Sequence, residues 1–328
     1  MSAPPAHNAS GDARPPAVTP GRGEILPAQL KAVDELIGRT LGGRYRLLEL
    51  IGEGTFSAVF AGWCRQRRKR VAIKVLVPAL VADSTGLSCT NLLDRFELEA
   101  RVALHLRHPN AIETLDFGRL DQLAYLVMEL LDGETLMSRI ERVGASSPTV
   151  AIDYAWQICG ALGAAHAAGL VHRDLKPHNL MVVRRSDGER VKVLDFGTVK
   201  VTDAGWSAGK LTADGTILGT AWYMSPEQAR GDAIDHRSDL YSLSVVLFEL
   251  LTGVLPFDSR HAAKVMLAHV SRPAPRLDSV RPSFAAFPAL IELVDRGLAK
   301  APADRFQDAA AFRAALVRAR AEVEARPA

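Results

Sequence analysis

Apolar and polar positions alternate along RYRLLELIGEGTFSAVFAGW (residues 44–63), break at Gly52 and Gly54, and resume through Val59. A period of two interrupted by glycines predicts strand, turn, strand. The basic run RQRRKR (65–70) follows, and then the apolar VAIK (71–74), so the charges fall at the tip of a second hairpin. A solvated tip accounts for them better than a nucleic-acid patch. In RFELEARVALHLRHPN (95–110) the period changes, with Leu98, Val102 and Leu106 at helical spacing. This predicts an amphipathic helix packed on that stripe and ending near His108-Pro109. YLVMELLDGETL (125–136) reads as a buried strand entering a turn at Asp132-Gly133, and VKVLDFG (191–197) as a strand after a hairpin built on SDGE (186–189). RSDLYSLSVVLFELLTG (237–253) is an apolar helix interrupted by Glu249.

The ends read differently. Residues 1–24 hold five prolines with Ala, Gly and Ser, too little apolar surface to order a tail. From 25 to 43, Leu30, Val33 and Ile37 at helical spacing and Gly42-Gly43 as a stop predict a short amphipathic helix. The last ten residues, 319–328, are charged and alanine-rich, as expected of a fraying tail. DSTGLSCTN (83–91) reads as a polar loop.

Composition narrows the class. With 328 residues, 48% of them hydrophobic, the chain can bury about two cores. Forty basic against 37 acidic residues leave a formal +3, too mild to suggest nucleic acid as a partner. Cys64, Cys89 and Cys159 are far apart and the nine histidines are scattered, which argues for a reducing compartment and against a zinc site. No stretch reaches the roughly 18 apolar residues of a membrane span. The start lacks the basic and apolar regions of a signal peptide, so a cytoplasmic location is expected.

HRDLKPHN (172–179) sets a carboxylate, an ammonium and a carboxamide on one short loop. Phosphoryl transfer needs that set: a group to receive a hydroxyl proton, a cation near the transferred phosphate, and a metal ligand. The spacing H-R-D-x-x-x-x-N is fully met, and the chain here resembles the eukaryotic-like (Hanks-type) protein kinases, the bacterial serine/threonine kinases in particular. The resemblance implies an α+β, bilobal fold. A small antiparallel β-sheet lobe with one main helix (44–126) would lead through a hinge (127–133) to a larger, mainly helical lobe (134–318).

It also implies roles. Asp174 would be the catalytic base, with Lys176 beside it; Lys74 would pair with the α- and β-phosphates of ATP and be oriented by Glu99. Asn179 and Asp195 would bind Mg²⁺, with Mn²⁺ as an alternative. The nucleotide would lie among Ile51, Gly52, Gly54, Val59, Ala72, Met128, Glu129, Leu131 and Met181, with Met128 limiting the depth of the pocket. Ser57 stands where the family usually has its third loop glycine, and Ser244 where it has a small glycine.

GTAWYMSPE (219–227) resembles the end of an activation segment, a platform for a polypeptide acceptor, so proteins with Ser or Thr are the expected partners. Thr220 would bond near Asp174 and Lys176, Glu227 would pair with Arg305, and Asp239 would brace the catalytic-loop backbone. Arg173 would pair with a phosphate on Thr212 or Thr216, Thr212 being favoured, which makes the segment a switch. A partner-binding scaffold without activity would have lost one of Lys74, Asp174, Asn179 or Asp195, and all four are present. A small-molecule kinase would lack the platform. The sequence leaves the oligomeric state open.

Overall fold

The computed structural model of the chain describes residues 33–53, 57–76, 89–120, 123–196 and 221–326. The first lobe is a six-stranded antiparallel sheet in the order β1-β2-β3-β4-β6-β5. Its strands are β1 (Thr40–Leu41), β2 (Tyr45–Glu53), β3 (Ser57–Cys64), β4 (Lys69–Leu76), β5 (Thr114–Leu120) and β6 (Leu123–Glu129). The basic run lies exposed at the β3–β4 hairpin, where Arg68 takes a positive φ. A Cβ at Gly62 on β3 would come within 2.7 Å of the Arg46 carbonyl, so the close approach of β2 requires glycine there.

Strand β4 is apolar at successive positions because both faces of the sheet are covered. Ile73 and Val75 join Leu47, Phe60, Tyr125 and Val127 on one face. Ala72 and Leu76 join Ala124, Leu126 and Met128 on the other, where helix α1 (Cys89–Ala103) packs through Leu93, Phe96 and Ala100. Lys74 lies between Ala72 and Leu76 and shares their face. The expected stripe through Leu98 is in the wrong phase: Leu98 is 65% exposed, and the buried line is Leu93, Phe96, Ala100 and Ala103. Val102 is half-buried against the core of the second lobe, and Leu106 belongs to that core.

The expected helix over 25–43 is corrected in its described part. Val33 and Asp34 are helical, the chain then turns, and Gly38 has φ +86°. Thr40 and Leu41 pair with Arg46 and Tyr45 as strand β1. Val33 and Leu36 are buried against the sheet, while Ile37 is 43% exposed, so the segment covers the first face on a different stripe from the one expected.

The second lobe is mainly helical. Strands β7 (Gly133–Thr135), β8 (Leu180–Arg185) and β9 (Gly188–Val193) form a small sheet beneath the cleft. Around it lie α2 (Leu136–Val143), α3 (Pro148–Ala167), α4 (Pro226–Arg230), α5 (His236–Thr252), α6 (Ala262–Ser271), α7 (Leu277–Val280), α8 (Pro288–Gly297) and α9 (Ala309–Glu324). Helix α5 is buried from Ser238 to Thr252, which explains why its sequence is apolar all round. Two boundaries shift from those expected. Strand β6 continues through Val127, Met128 and Glu129 before the link to the second lobe, and α9 continues to Glu324 with Ala319 fully buried. Among the described residues no helix is long and apolar enough to cross a membrane.

Candidate active site

The loop HRDLKPHN crosses the floor of the cleft, and Asp239 at the start of α5 holds its backbone. One carboxylate oxygen accepts the amide of His172 (2.8 Å) and lies 2.8 Å from His166 Nε2; the other accepts the amide of Arg173 at 2.8 Å. His172 fixes the loop from inside. Its Nε2 donates to the Leu194 carbonyl (2.7 Å), so its Nδ1 is the acceptor that receives the Asp174 amide at 3.3 Å. Phe196 stands edge-on to the His172 ring at 5.3 Å. Arg173 (φ 64°) and Asp195 (φ 55°) both occupy the left-handed region, an unfavourable conformation for residues with a Cβ that the surrounding bonds impose.

These restraints bring the charged groups together. Lys176 Nζ lies 3.1 Å from an Asp174 carboxylate oxygen. Asn179 Nδ2 donates to the Asp174 carbonyl (2.8 Å) and contacts its carboxylate at 3.3 Å, so the amide presents its oxygen as an acceptor. The Leu194 amide bonds the Asn179 carbonyl at 2.9 Å, tying the loop to the residue before Asp195. Asp195 Oδ1 is 2.9 Å from Lys74 Nζ, an ion pair that joins the two lobes. Glu99 lies half-buried on α1, beside Ala100 of the apolar layer that flanks Lys74.

Val59, Ala72, Met128 and Leu131 fall in one apolar cluster at the back of the cleft. Gly52 pairs across the sheet with Val59, Ile51 is 50% exposed at the rim, and Met181 on β8 stands opposite Thr135 and Lys192. A small cavity behind Met128 is lined by Leu106, Ile112, Leu126, Asp195 and Phe196 among others. The Glu129 amide is already bonded to the Glu113 carbonyl at 3.0 Å. Its carboxylate accepts the Glu113 amide (2.9 Å) and buried Lys192 (2.6 Å), and Lys192 also reaches the Ala111 carbonyl at 3.1 Å. Gly54, Thr212, Thr216 and Thr220 lie outside the described residues.

Glu227 and Arg305 meet in a buried, two-pronged pair at 2.7 and 2.8 Å. Burial opposes ionisation of Glu227, but the bonds from Arg305 and Ser238 prevail and hold its carboxyl below the usual range. Arg305 is fully buried, gives further bonds to the Ala299 and Lys300 carbonyls, and lies over the Tyr241 ring at 4.8 Å. Ser225 caps α4 in a capping box with Gln228, whose side chain also donates to the Arg173 carbonyl at 2.7 Å. Gln228 and Lys192 carry no signal in the sequence, and His166 is expected there only to be structural. Their partners are 55, 73 and 63 residues away, so no local spacing marks them.

Among the described residues no group of three or more His, Cys, Asp or Glu could hold a metal on its own. One carboxylate and one amide oxygen do suit a hard cation that keeps most of its ligands from water and phosphate.

A two-lobed fold with a strand lysine, a loop Asp-Lys-Asn set and an aspartate after the last small-sheet strand is the arrangement of the protein kinase class. The chain belongs to the protein kinase domain family, whose model matches residues 45–315. It is 41% identical over 285 residues to serine/threonine-protein kinase pkn3 of Myxococcus xanthus, covering 86% of this chain and 51% of that protein. It is 36% identical over 275 residues to serine/threonine-protein kinase PrkC of Bacillus subtilis, covering 84% of this chain and 40% of that protein. The chain thus spans about half or less of the length of these two relatives. The crystal structure of the Mycobacterium tuberculosis PknI kinase domain is similar with TM-score 0.66 and 26% identity, over 86% of this chain and 98% of that one.

Proposed function

We propose that the chain transfers the γ-phosphate of ATP to serine and threonine hydroxyls of proteins. The observation that carries the reading is the joining of two charged sets across the cleft: the Asp174, Lys176 and Asn179 set is bonded through Leu194 to the residue next to Asp195, which pairs with Lys74. Asp174 is the base for the acceptor hydroxyl, and Lys176 holds positive charge where the phosphate leaves ATP. Lys74, oriented by Glu99, takes the α- and β-phosphates, while the apolar cluster with Met128 takes the adenine. Its outer contacts are Ile51, Gly52, Gly54 and Met181, with the carbonyl of Glu129 and backbone of Leu131 at the edge. Asp195 and Asn179 hold Mg²⁺, or Mn²⁺ in its place. When bound there, ATP would supply the phosphoryl group and the metal would draw off phosphate charge.

The names of the relatives support a Ser/Thr acceptor, and the platform ending at Glu227 supports a polypeptide one. Autophosphorylation at Thr212 or Thr216, read by Arg173, and a cytoplasmic location belong to the same proposal; Cys64 and Cys159 are buried free thiols, as a reducing compartment allows. The test is transfer of labelled phosphate from ATP to the chain itself and to a basic protein. Wild type labels both, and Lys74→Met and Asp195→Asn each lower transfer by at least about a hundred-fold. Transfer that persists in both variants would overturn the assignments.

A further inference from the structure

Residues Ala221–Tyr223 form a 3-10 turn directly ahead of the Ser225 cap. Two neighbouring residues of this turn are held by different helices. Tyr223 is tied to α5: its hydroxyl donates to Glu249 at 2.6 Å, and the Ser242 hydroxyl donates to its carbonyl at 2.7 Å. Trp222 is tied elsewhere. Its indole N–H donates to Asp258 at 3.1 Å, and its carbonyl lies 3.0 Å from Nε2 of His269 on α6.

His269 is fully buried and both its nitrogens are engaged. A carbonyl can only accept, so Nε2 carries the proton, and Nδ1 is the lone pair that receives the Tyr241 hydroxyl at 2.8 Å. Burial pushes the ring down to about 4, so it is neutral at pH 7 and held as one tautomer. Tyr241 and Phe257 stand edge-on to it at 5.7 and 4.9 Å. The ring is therefore fixed in place and in protonation before anything binds.

The turn leads through Ser225 to Gln228, which bonds the catalytic-loop carbonyl of Arg173. Lys74 and Asp195 are held to each other by an ion pair that involves neither Gln228 nor Arg173. A displacement of Trp222 thus reaches the acceptor side of the site before the nucleotide side.

We infer that His269 is a positioning residue for the polypeptide acceptor: from α6 its Nε2–H fixes the Trp222 carbonyl, and so sets the turn against which the acceptor lies. This rests on the proposed transfer to proteins. His269→Phe keeps a flat ring of similar size and removes both polar atoms, leaving the Trp222 carbonyl without its donor. His269→Gln keeps an amide N–H at a comparable reach. Full steady-state kinetics of the whole chain, with ATP and a basic Ser/Thr-containing protein varied in turn, test it.

The expected result is a KM for the acceptor raised about five- to ten-fold in His269→Phe, a KM for ATP within about two-fold of wild type, and most of the loss recovered in His269→Gln. If His269→Phe does not fold, Tyr241→Phe removes one oxygen, keeps a ring beneath Arg305, and shows the same split at smaller amplitude. An unchanged acceptor KM in an active variant overturns the assignment to His269 alone, as does a KM for ATP that moves in step. A wild type that transfers phosphate to no protein overturns the acceptor reading and this inference with it.

Discussion

Ser244 departs from the small residue the family carries, and the structure places its counterpart on another helix. Ser244 is fully buried on α5, its hydroxyl donating to the Leu240 carbonyl at 2.8 Å. Gly297, the last residue of α8, lies against it: a Cβ there would overlap the Ser244 hydroxyl outright and come within 2.8 Å of its Cβ and 3.6 Å of a Phe312 ring carbon. Gly297→Ala therefore overpacks the site at about 1–3 kcal/mol, which the better helix propensity of alanine only partly offsets. Ser244→Gly opens a void and puts glycine mid-helix, at about 1–2 kcal/mol. Independent sites would cost about 2–5 kcal/mol together. Because the new methyl fills the space left by the serine, the double variant instead costs about as much as Ser244→Gly alone, a coupling of about 1–3 kcal/mol. Urea unfolding of the four proteins at one pH, followed by far-UV circular dichroism, measures the cycle. A double variant that equals the sum of the singles within about 0.5 kcal/mol refutes the argument.

Two further outcomes are expected. Arg305→Met strands Glu227 in a buried site and lowers stability by about 3–5 kcal/mol in urea unfolding; a loss below about 1 kcal/mol would show that the pair is not desolvated. Glu249 is raised by burial to about 7 despite the Tyr223 hydroxyl, with the Asp258 and Glu141 charges adding to the rise. The folded chain then holds a proton that the unfolded chain releases above 4.5, so this contribution is fully present below 4.5 and is lost as the pH rises to about 7. Glu249→Gln cannot ionise, and its stability relative to wild type rises by about 3 kcal/mol between pH 4.5 and 8. Parallel urea curves across that range check it, and a constant difference counts against a neutral buried Glu249.

What the sequence made legible depended on how far apart the interacting groups lie along the chain. Asp174, Lys176 and Asn179 share one loop, so spacing alone marked their chemistry, and the β3–β4 hairpin followed from alternation broken by charge. Helix α1 was legible as a helix but not in phase. Leu98, Val102 and Leu106 and the line Leu93, Phe96, Ala100 and Ala103 both fit a helical period, and spacing alone does not choose between them. The buried line is the one that faces the sheet, where Leu93, Phe96 and Ala100 pack with Ala72 and Leu76.

The N-terminal segment went astray for a related reason. Three apolar positions over so short a stretch suit a turn followed by a strand as well as a helix, and pairing of Thr40 and Leu41 with β2 decided between them. Glu227 and Arg305 are 78 residues apart and were paired only through resemblance to the family. His269 and Lys192 had no such guide. Nothing in its own element sets either apart, and its role exists only once Trp222 or Glu129 is brought beside it. Ser244 makes the limit explicit. Along the sequence it is a departure from a pattern, whereas in the fold it is half of a contact whose other half, Gly297, has already made the room. A substitution of this kind acquires its sign from the partner, so a position-by-position reading cannot assign it a cost.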